Sequence, residues 1–400
     1  MSRSRQLAFV LALLAMVAGL RQSQAGLGEA SPPRPLAYRV EVIADGLNYP
    51  WSLAFLPNGD AFVTEKYGHL RIIRQGVLDP KIVEGGPVQV LQTDDSGLLD
   101  IALDPDYATT RTVFIAFNEG TEQKNRLAIY RAQFDGKRLV NGKVIFRGYP
   151  DKVAPRASGG RIAFLRDETM LVTVSDGYDY PNAAQDLRSD FGKVVRIDRD
   201  GKAPSDNPFI GKRNVRPEVY TYGHRNAIGL TVDPRNGNVW LDENGPMGGD
   251  EVNLITPGKN YGWPKTTYGL DYSGEQISQL QTADGVTDPV VVWVPSIAPS
   301  GLLVYLGNKF PQWRGDLFVG SLAGTSLRRI RVVDGRWTQQ EILLSEISAR
   351  IRDVRTGPDG YIYLLSDQEK GQVLRLVPSS EPVRARVAVA PRASPPDNSD

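Results

Sequence analysis

The chain has 400 residues, a formal net charge of +1, 41% apolar residues and no cysteine. That length and apolar content allow a large core, while the near balance of charge argues against a nucleic-acid partner, which would show a basic face. The lack of cysteine excludes disulfides, thiol nucleophiles and cysteine-ligated metals.

The first segment speaks to compartment. Arg3 and Arg5 precede an apolar run over residues 7–20, and Ser23-Gln24-Ala25 supplies small residues at a peptidase-like spacing. This pattern predicts a cleavable secretory signal over residues 1–25, cut near Gly26. The run is shorter than the roughly 20 residues that span a bilayer. The mature chain is therefore expected to be periplasmic or secreted, without a membrane span. Residues 26–37 are rich in Gly, Ser and Pro and read as a linker, and residues 379–400 as a disordered Pro/Ser/Ala tail.

Between these ends one pattern recurs: an apolar strand, a turn of Pro/Asp/Gly/Asn type, a second apolar strand, then a third near a glycine. The first copy runs from Leu53 through Pro57-Asn58-Gly59-Asp60 to Leu70-Arg71-Ile72-Ile73. The next begin at Ile101, Ile162 and Gly229, the fifth at Gly301 and the sixth at Ile351, the last with Gly357-Pro358-Asp359-Gly360 as its turn. Copies of this kind are small sheets that cannot bury both faces alone, so stacking them around an axis is the economical solution. Residues 38–378 are thus expected to form one all-β domain, a six-bladed β-propeller of four-stranded antiparallel blades. Two stacked β-sandwiches are the alternative, but they would need no such recurrence.

Several phrases then form an ordered set. They are Pro50-Trp51-Ser52-Leu53-Ala54-Phe55-Leu56-Pro57-Asn58-Gly59, Ala184-Gln185-Asp186-Leu187, Tyr222-Gly223-His224-Arg225-Asn226 and Gly245-Pro246-Met247-Gly248-Gly249-Asp250-Glu251-Val252-Asn253. Asn260-Tyr261-Gly262-Trp263-Pro264 and Arg350-Ile351-Arg352-Asp353-Val354 complete it. In this order the chain resembles the soluble aldose dehydrogenases dependent on pyrroloquinoline quinone (PQQ), the glucose/sorbosone dehydrogenase family. The resemblance implies a six-bladed propeller that oxidises the anomeric hydroxyl of an aldose to the lactone, with PQQ held on a calcium ion at the propeller mouth. The implied partners are a small sugar substrate and an electron acceptor that the sequence does not specify.

PQQ is a flat ortho-quinone with three carboxylates, and the planar guanidinium of arginine can bond both oxygens of a carboxylate at once. Arg225, Asn226, Arg350 and Arg352 match the family's cofactor-contacting positions. Arg225 is also expected to stabilise charge developing on a quinone oxygen. Gly245 and Pro246 match positions whose carbonyls hold the cofactor's calcium. Glu251, and Tyr261 through its backbone, resemble a second, structural calcium site with Asp250 beside it. The plainer readings are blade-to-blade ion pairs for the arginines and backbone-capping acids in a Gly-rich turn.

The departures are as informative. The family's general-base histidine falls at Ala157, just before Ser158-Gly159-Gly160-Arg161. A cofactor-side glutamine is Asp95, another is Ile228, and a lysine of the fifth blade is Ala323. His69 and His224 do not lie where the base belongs and read as ordinary surface or strand-end residues. A lost base costs about 10²–10⁴ in rate, so either Asp95 substitutes as the base or the site has changed its job. The competing readings are a non-catalytic propeller binding carbohydrate or protein with structural calcium, and a calcium-dependent lactonase by fold analogy alone.

Overall fold

The computed structural model describes residues 36–93, 96–334, 336–380 and 388–389. The expected signal at residues 1–25, most of the linker and Asp95 lie outside them. Among the described residues no helix is long and apolar enough to cross a membrane.

Six small antiparallel sheets stand in a ring, as the recurrence predicts. Their innermost strands are Pro50–Phe55, Leu98–Leu103, Gly159–Phe164, Asn226–Val232, Pro299–Val304 and Ile351–Thr356, in blades one to six. The second strands, such as Ala61–Glu65, Met170–Val174, Leu317–Ser321 and Ile362–Ser366, are buried at every position. A strand with a neighbouring blade on both faces has no solvent side, which is why these segments read as continuous apolar runs. Aromatic pairs join adjacent blades edge to face: Phe62 with Phe134 at 4.9 Å, Phe114 with Phe164 at 5.5 Å, and Phe55 with Tyr363 at 4.8 Å.

The ring closes through a strand outside the six repeats. Tyr38–Leu47 pairs antiparallel with Gly371–Pro378, so blade six takes its fourth strand from the other end of the domain. Of the expected disordered tail, Ala388–Val389 runs parallel to that closing strand.

An electrostatic hub sits on the axis. Arg161 is 2% exposed and meets Asp353 at 3.0 Å and Asp100 at 3.4 Å. Its Nε donates to the Ile228 carbonyl at 2.6 Å, and its guanidinium lies 4.1 Å from the centre of the Trp51 ring. Arg355 binds the same two acids, at 2.9 Å each. Five of the blades are thereby tied to one buried cluster. On the blade-four side, Gly229 leaves room for the carboxyl of buried Asp242: a Cβ there would stand 2.2 Å from Oδ2.

Candidate functional site

The loops that lead into the inner strands and out of the second strands converge on one mouth of the ring, and the predicted cofactor residues line it. A cavity of about 170 Å³ is lined by Trp51, Lys66, Ala157, Asn226, Asn244, Arg350 and Arg352, among others. A second space of about 290 Å³ shares Ala157, Asn226 and Asn244 with it and adds Arg225, Gly245 and Pro246. The two adjoin at Ala157, Asn226 and Asn244. Arg350 and Arg352 therefore stand at one end of a single recess and Arg225 at the other. Its described walls carry Lys66, Arg156, Arg225, Arg350 and Arg352 but no carboxylate.

Each arginine is held from behind. Asp367, at the end of the second strand of blade six, accepts from Arg350 Nη2 at 2.9 Å and from Arg352 Nη2 at 3.0 Å. Burial alone would raise the Asp367 carboxyl, but the guanidiniums of Arg352 and Arg350 hold it below its usual range. Arg352 keeps a buried Nε with no hydrogen-bond partner, and Asn226 keeps a buried Oδ1 in the same condition. These are an idle donor and an idle acceptor beside an electropositive recess. Arg225 donates Nη1 to the Asn244 carbonyl at 2.9 Å, while its guanidinium stands 5.5 Å from the Trp263 ring centre and 5.8 Å from that of Tyr272.

Sequence reasoning missed the residues that fix these groups. Asp176, buried in the turn after the second strand of blade three, accepts the Trp263 indole N–H at 2.8 Å. Burial raises its carboxyl, and the nearby Arg225 charge opposes the rise. His224 is not the surface or strand-end residue expected. It is fully buried, stacked on Tyr261 at 4.8 Å and bonded to Thr221 Oγ1 and Glu243 Oε1, each at 2.9 Å. The phrase around Arg225 was the available signal, since its histidine lies one residue before the arginine. His69 is half-exposed and faces Glu65 at 3.4 Å.

Of the predicted calcium residues, Gly245, Glu251 and Tyr261 line a much smaller cavity of about 10 Å³ together with Glu243 and Asn244, whereas Pro246 lines the larger recess. The turn here folds back closely: a Cβ on Gly245 would lie 2.1 Å from the Gly248 carbonyl oxygen. Desolvation and the Glu243 charge push Glu251 well above the usual carboxylate range, and no cation is among the groups acting on it. Glu243 is already engaged by His224, by the Arg225 amide at 2.6 Å and by Asn253 at 3.0 Å. Asp250 is engaged too: it accepts from the amides of Gly245, Ile297 and Ala298 and from the Ser296 hydroxyl. Its geometry is that of a loop organiser, the backbone-capping alternative raised for this turn. Among the described residues no group of three or more acidic or histidine side chains forms a ready-made metal cage. A cation here would draw on Glu251 together with backbone carbonyls. Such a hard oxygen set suits calcium.

Ala157 lines both halves of the recess, with a φ of +46°. Nearby, Ser96 and Ser158 are joined through Asn118 Nδ2, which donates to both hydroxyls at 2.7 Å. The residue that follows Asp95 is thus anchored beside the position where the base is missing. Ile228 is buried against the recess, and Ala323 is exposed.

Comparison with known proteins agrees with this geometry. The sequence profile of the family described as Glucose / Sorbosone dehydrogenase matches residues 47–375. The aldose sugar dehydrogenase YliI of Escherichia coli is 37% identical over 350 residues, covering 86% of this chain and 94% of that one. A crystal structure of a glucose dehydrogenase superposes with a TM-score of 0.82 at 40% identity, over 85% of this chain and 99% of the other. The PQQ-bound form of aldose sugar dehydrogenase from Streptomyces coelicolor gives 0.71 at 29% identity, over 86% and 99%.

Proposed function

The chain belongs to the glucose/sorbosone dehydrogenase family, and from that premise we propose that it is an exported quinoprotein oxidising the anomeric hydroxyl of an aldose to the lactone. The observation that carries the reading is the recess in which Arg225, Asn226, Arg350 and Arg352 converge with no described carboxylate among the lining residues. A flat tricarboxylate is the kind of ligand such walls favour, because guanidiniums held from behind by Asp367 and by the Asn244 carbonyl still have fork-shaped donors to offer an anion. The idle Nε of Arg352, a donor, supports the same fit. A non-catalytic binding module would have no need of this set.

In this reading Arg350, Arg352 and Asn226 hold PQQ, and Arg225 lies at the opposite end of the recess. Calcium takes its place near Gly245 and Pro246, with a second ion at Glu251 and Tyr261. When bound, the cofactor accepts the two electrons leaving the sugar's anomeric carbon. The chain's own residues supply the rest. Arg225, held by Asn244 and flanked by Trp263, presents a fixed positive charge where negative charge develops, and a preorganised charge of this kind needs no reorganisation during reaction. Asp367 fixes both guanidiniums from behind before the ligand enters. Asp95 is the proposed acceptor of the hydroxyl proton, since no described carboxylate or imidazole lines the recess.

The periplasm or cell exterior is the proposed location, on the strength of the N-terminal pattern of Arg3, Arg5 and the apolar run. Reconstitution with PQQ and calcium, followed by dye reduction with a panel of aldoses, tests the function. Turnover is expected with at least one aldose, and bound chromophore without turnover on any sugar would overturn the catalytic reading.

A further inference from the structure

Lys66 lines the same cavity as Arg350 and Arg352, although it comes from blade one and they belong to blade six. We propose that Lys66 is a further cofactor-binding cation, whose ammonium meets a carboxylate of the cofactor beside the guanidiniums of Arg350 and Arg352. This role presupposes the quinoprotein reading of the recess, and it falls to a residue outside the ordered phrases that carry the family resemblance.

The backbone fixes where this lysine can reach. Lys66 follows directly on Ala61–Glu65, the second strand of its blade. Its amide donates to the Tyr49 carbonyl at 3.1 Å, and its own carbonyl accepts the Leu98 amide at 3.2 Å. The strand end is thereby tied to the segment entering the inner strand of its own blade and to the inner strand of blade two. Contact at the second point is close, since a Cβ on Gly97 would stand 1.6 Å from the Lys66 carbonyl oxygen. Glycine permits that approach, and any side chain there would displace the backbone.

Aromatic rings then set the direction of the side chain. Lys66 is 8% exposed, with Nζ 4.5 Å from the Tyr49 ring centre and 5.5 Å from that of Tyr67. The two rings meet edge to face at 5.7 Å. Such rings attract an ammonium and orient it without supplying a formal negative charge. The acid next in sequence is committed elsewhere: Glu65 takes Arg71 at 3.1 Å, His69 at 3.4 Å and the Asn48 amide at 2.8 Å.

Charge balance gives this ammonium its use. Arg350 and Arg352 share the carboxylate of Asp367, so two guanidiniums at that end come with one acid. Blade five adds no charge to the described walls; it contributes Ser296, Ala298 and Leu322, and Ala323 lines neither half of the recess. A polycarboxylate at this end finds its additional cation on blade one. An ammonium is a compact charge with three donors on a flexible stem, so it can follow a carboxylate already oriented by the more rigid guanidiniums.

The test titrates calcium-loaded, full-length chain with PQQ at low and high salt, for wild type, Lys66→Met and Lys66→Arg. Lys66→Met is expected to weaken binding about tenfold or more at low salt. Lys66→Arg, which keeps the charge, is expected to regain most of that loss even if Lys66→Met also lowers the thermal midpoint. Wild-type affinity is expected to fall more steeply with salt than that of Lys66→Met, because the interaction removed is one between charges. Equal affinity of wild type and Lys66→Met would overturn the assignment. Parallel salt dependence would overturn it too, by marking a packing role for the side chain. Wild type that binds no PQQ would remove the quinoprotein reading together with this role, whereas wild-type binding unaffected by Lys66→Met would remove this role alone.

Discussion

Asp367 Oδ2 accepts a hydrogen bond from Arg352 Nη2 at 3.0 Å, and the same oxygen takes Arg350 Nη2 at 2.9 Å. One carboxylate thus preorganises both arginines at the far end of the recess. Burial would raise its pKa, but the two guanidiniums hold it below the ordinary value of 3.8. A carboxyl depressed in the folded state stabilises fully above its unfolded pKa and loses that contribution as pH falls through the folded one. Asp367→Asn is therefore expected to be less stable than wild type at neutral pH and to converge with it between about pH 4 and pH 2. Urea unfolding at a series of pH values checks this; parallel curves would show that the pair adds nothing.

Ala157 lines both halves of the recess at a left-handed φ of +46°, a conformation that histidine adopts more readily than most side chains. Ala157→His is expected to raise kcat, since a positioned base is worth about 10²–10⁴. Asp95→Asn is expected to lower kcat by a comparable factor and to remove the acidic limb of the pH–rate profile. Stopped-flow dye reduction reads both, and an Asp95→Asn profile identical to wild type would rule out that carboxylate.

Arg161 is the buried cation shared by Asp100 and Asp353. Removing one partner of a buried ion pair strands the other charge and costs about 3–5 kcal/mol. Arg161→Leu is expected to lose less than that full amount, because Arg355 still pairs both acids, and to lose with it the stacking on Trp51. Equilibrium denaturation measures the loss, and a change below about 1 kcal/mol would mean that the hub adds little beyond packing.

The small acidic cavity predicts a cation response. Chelator is expected to lower the thermal midpoint and calcium to restore it, because a ligand bound only to the folded state stabilises by about 2.7 kcal/mol at a hundredfold its Kd. Glu251→Gln is expected to abolish the response, whereas Asp250→Asn retains most of it, since the Asp250 oxygens are spent on the amides of Gly245, Ile297 and Ala298. An unchanged midpoint in wild type on chelation would remove the calcium assignment.

The scaffold was legible because each blade repeats locally: a turn such as Pro57-Asn58-Gly59-Asp60 and the strands beside it lie within a few tens of residues. The closing strand Tyr38–Leu47 escaped because its partner, Gly371–Pro378, lies at the other end of the domain and no local pattern announces the pairing. The convergence of Arg225, Arg350 and Arg352 was readable from ordered phrases. Their supports were not: Asp367 and Asp176 sit in unremarkable strand-end sequence, and only the sheet geometry carries them to Arg352 and Trp263. His224 was misjudged for the same reason, its burial being set by Tyr261 and Glu243 rather than by its own neighbours in sequence. Asp250 looked like a metal ligand because acids beside a Gly-rich turn cap amides and bind cations with the same atoms.

The most direct test is a spectrophotometric titration of calcium-loaded, full-length chain with PQQ, repeated for Arg352→Ala. One equivalent is expected to bind, and loss of a charge-assisted contact of about 1.5–3 kcal/mol should weaken the variant by roughly 10- to 150-fold. Failure of the wild type to bind PQQ, or equal affinity in the variant, would contradict the central claim that these guanidiniums form a quinone-cofactor seat.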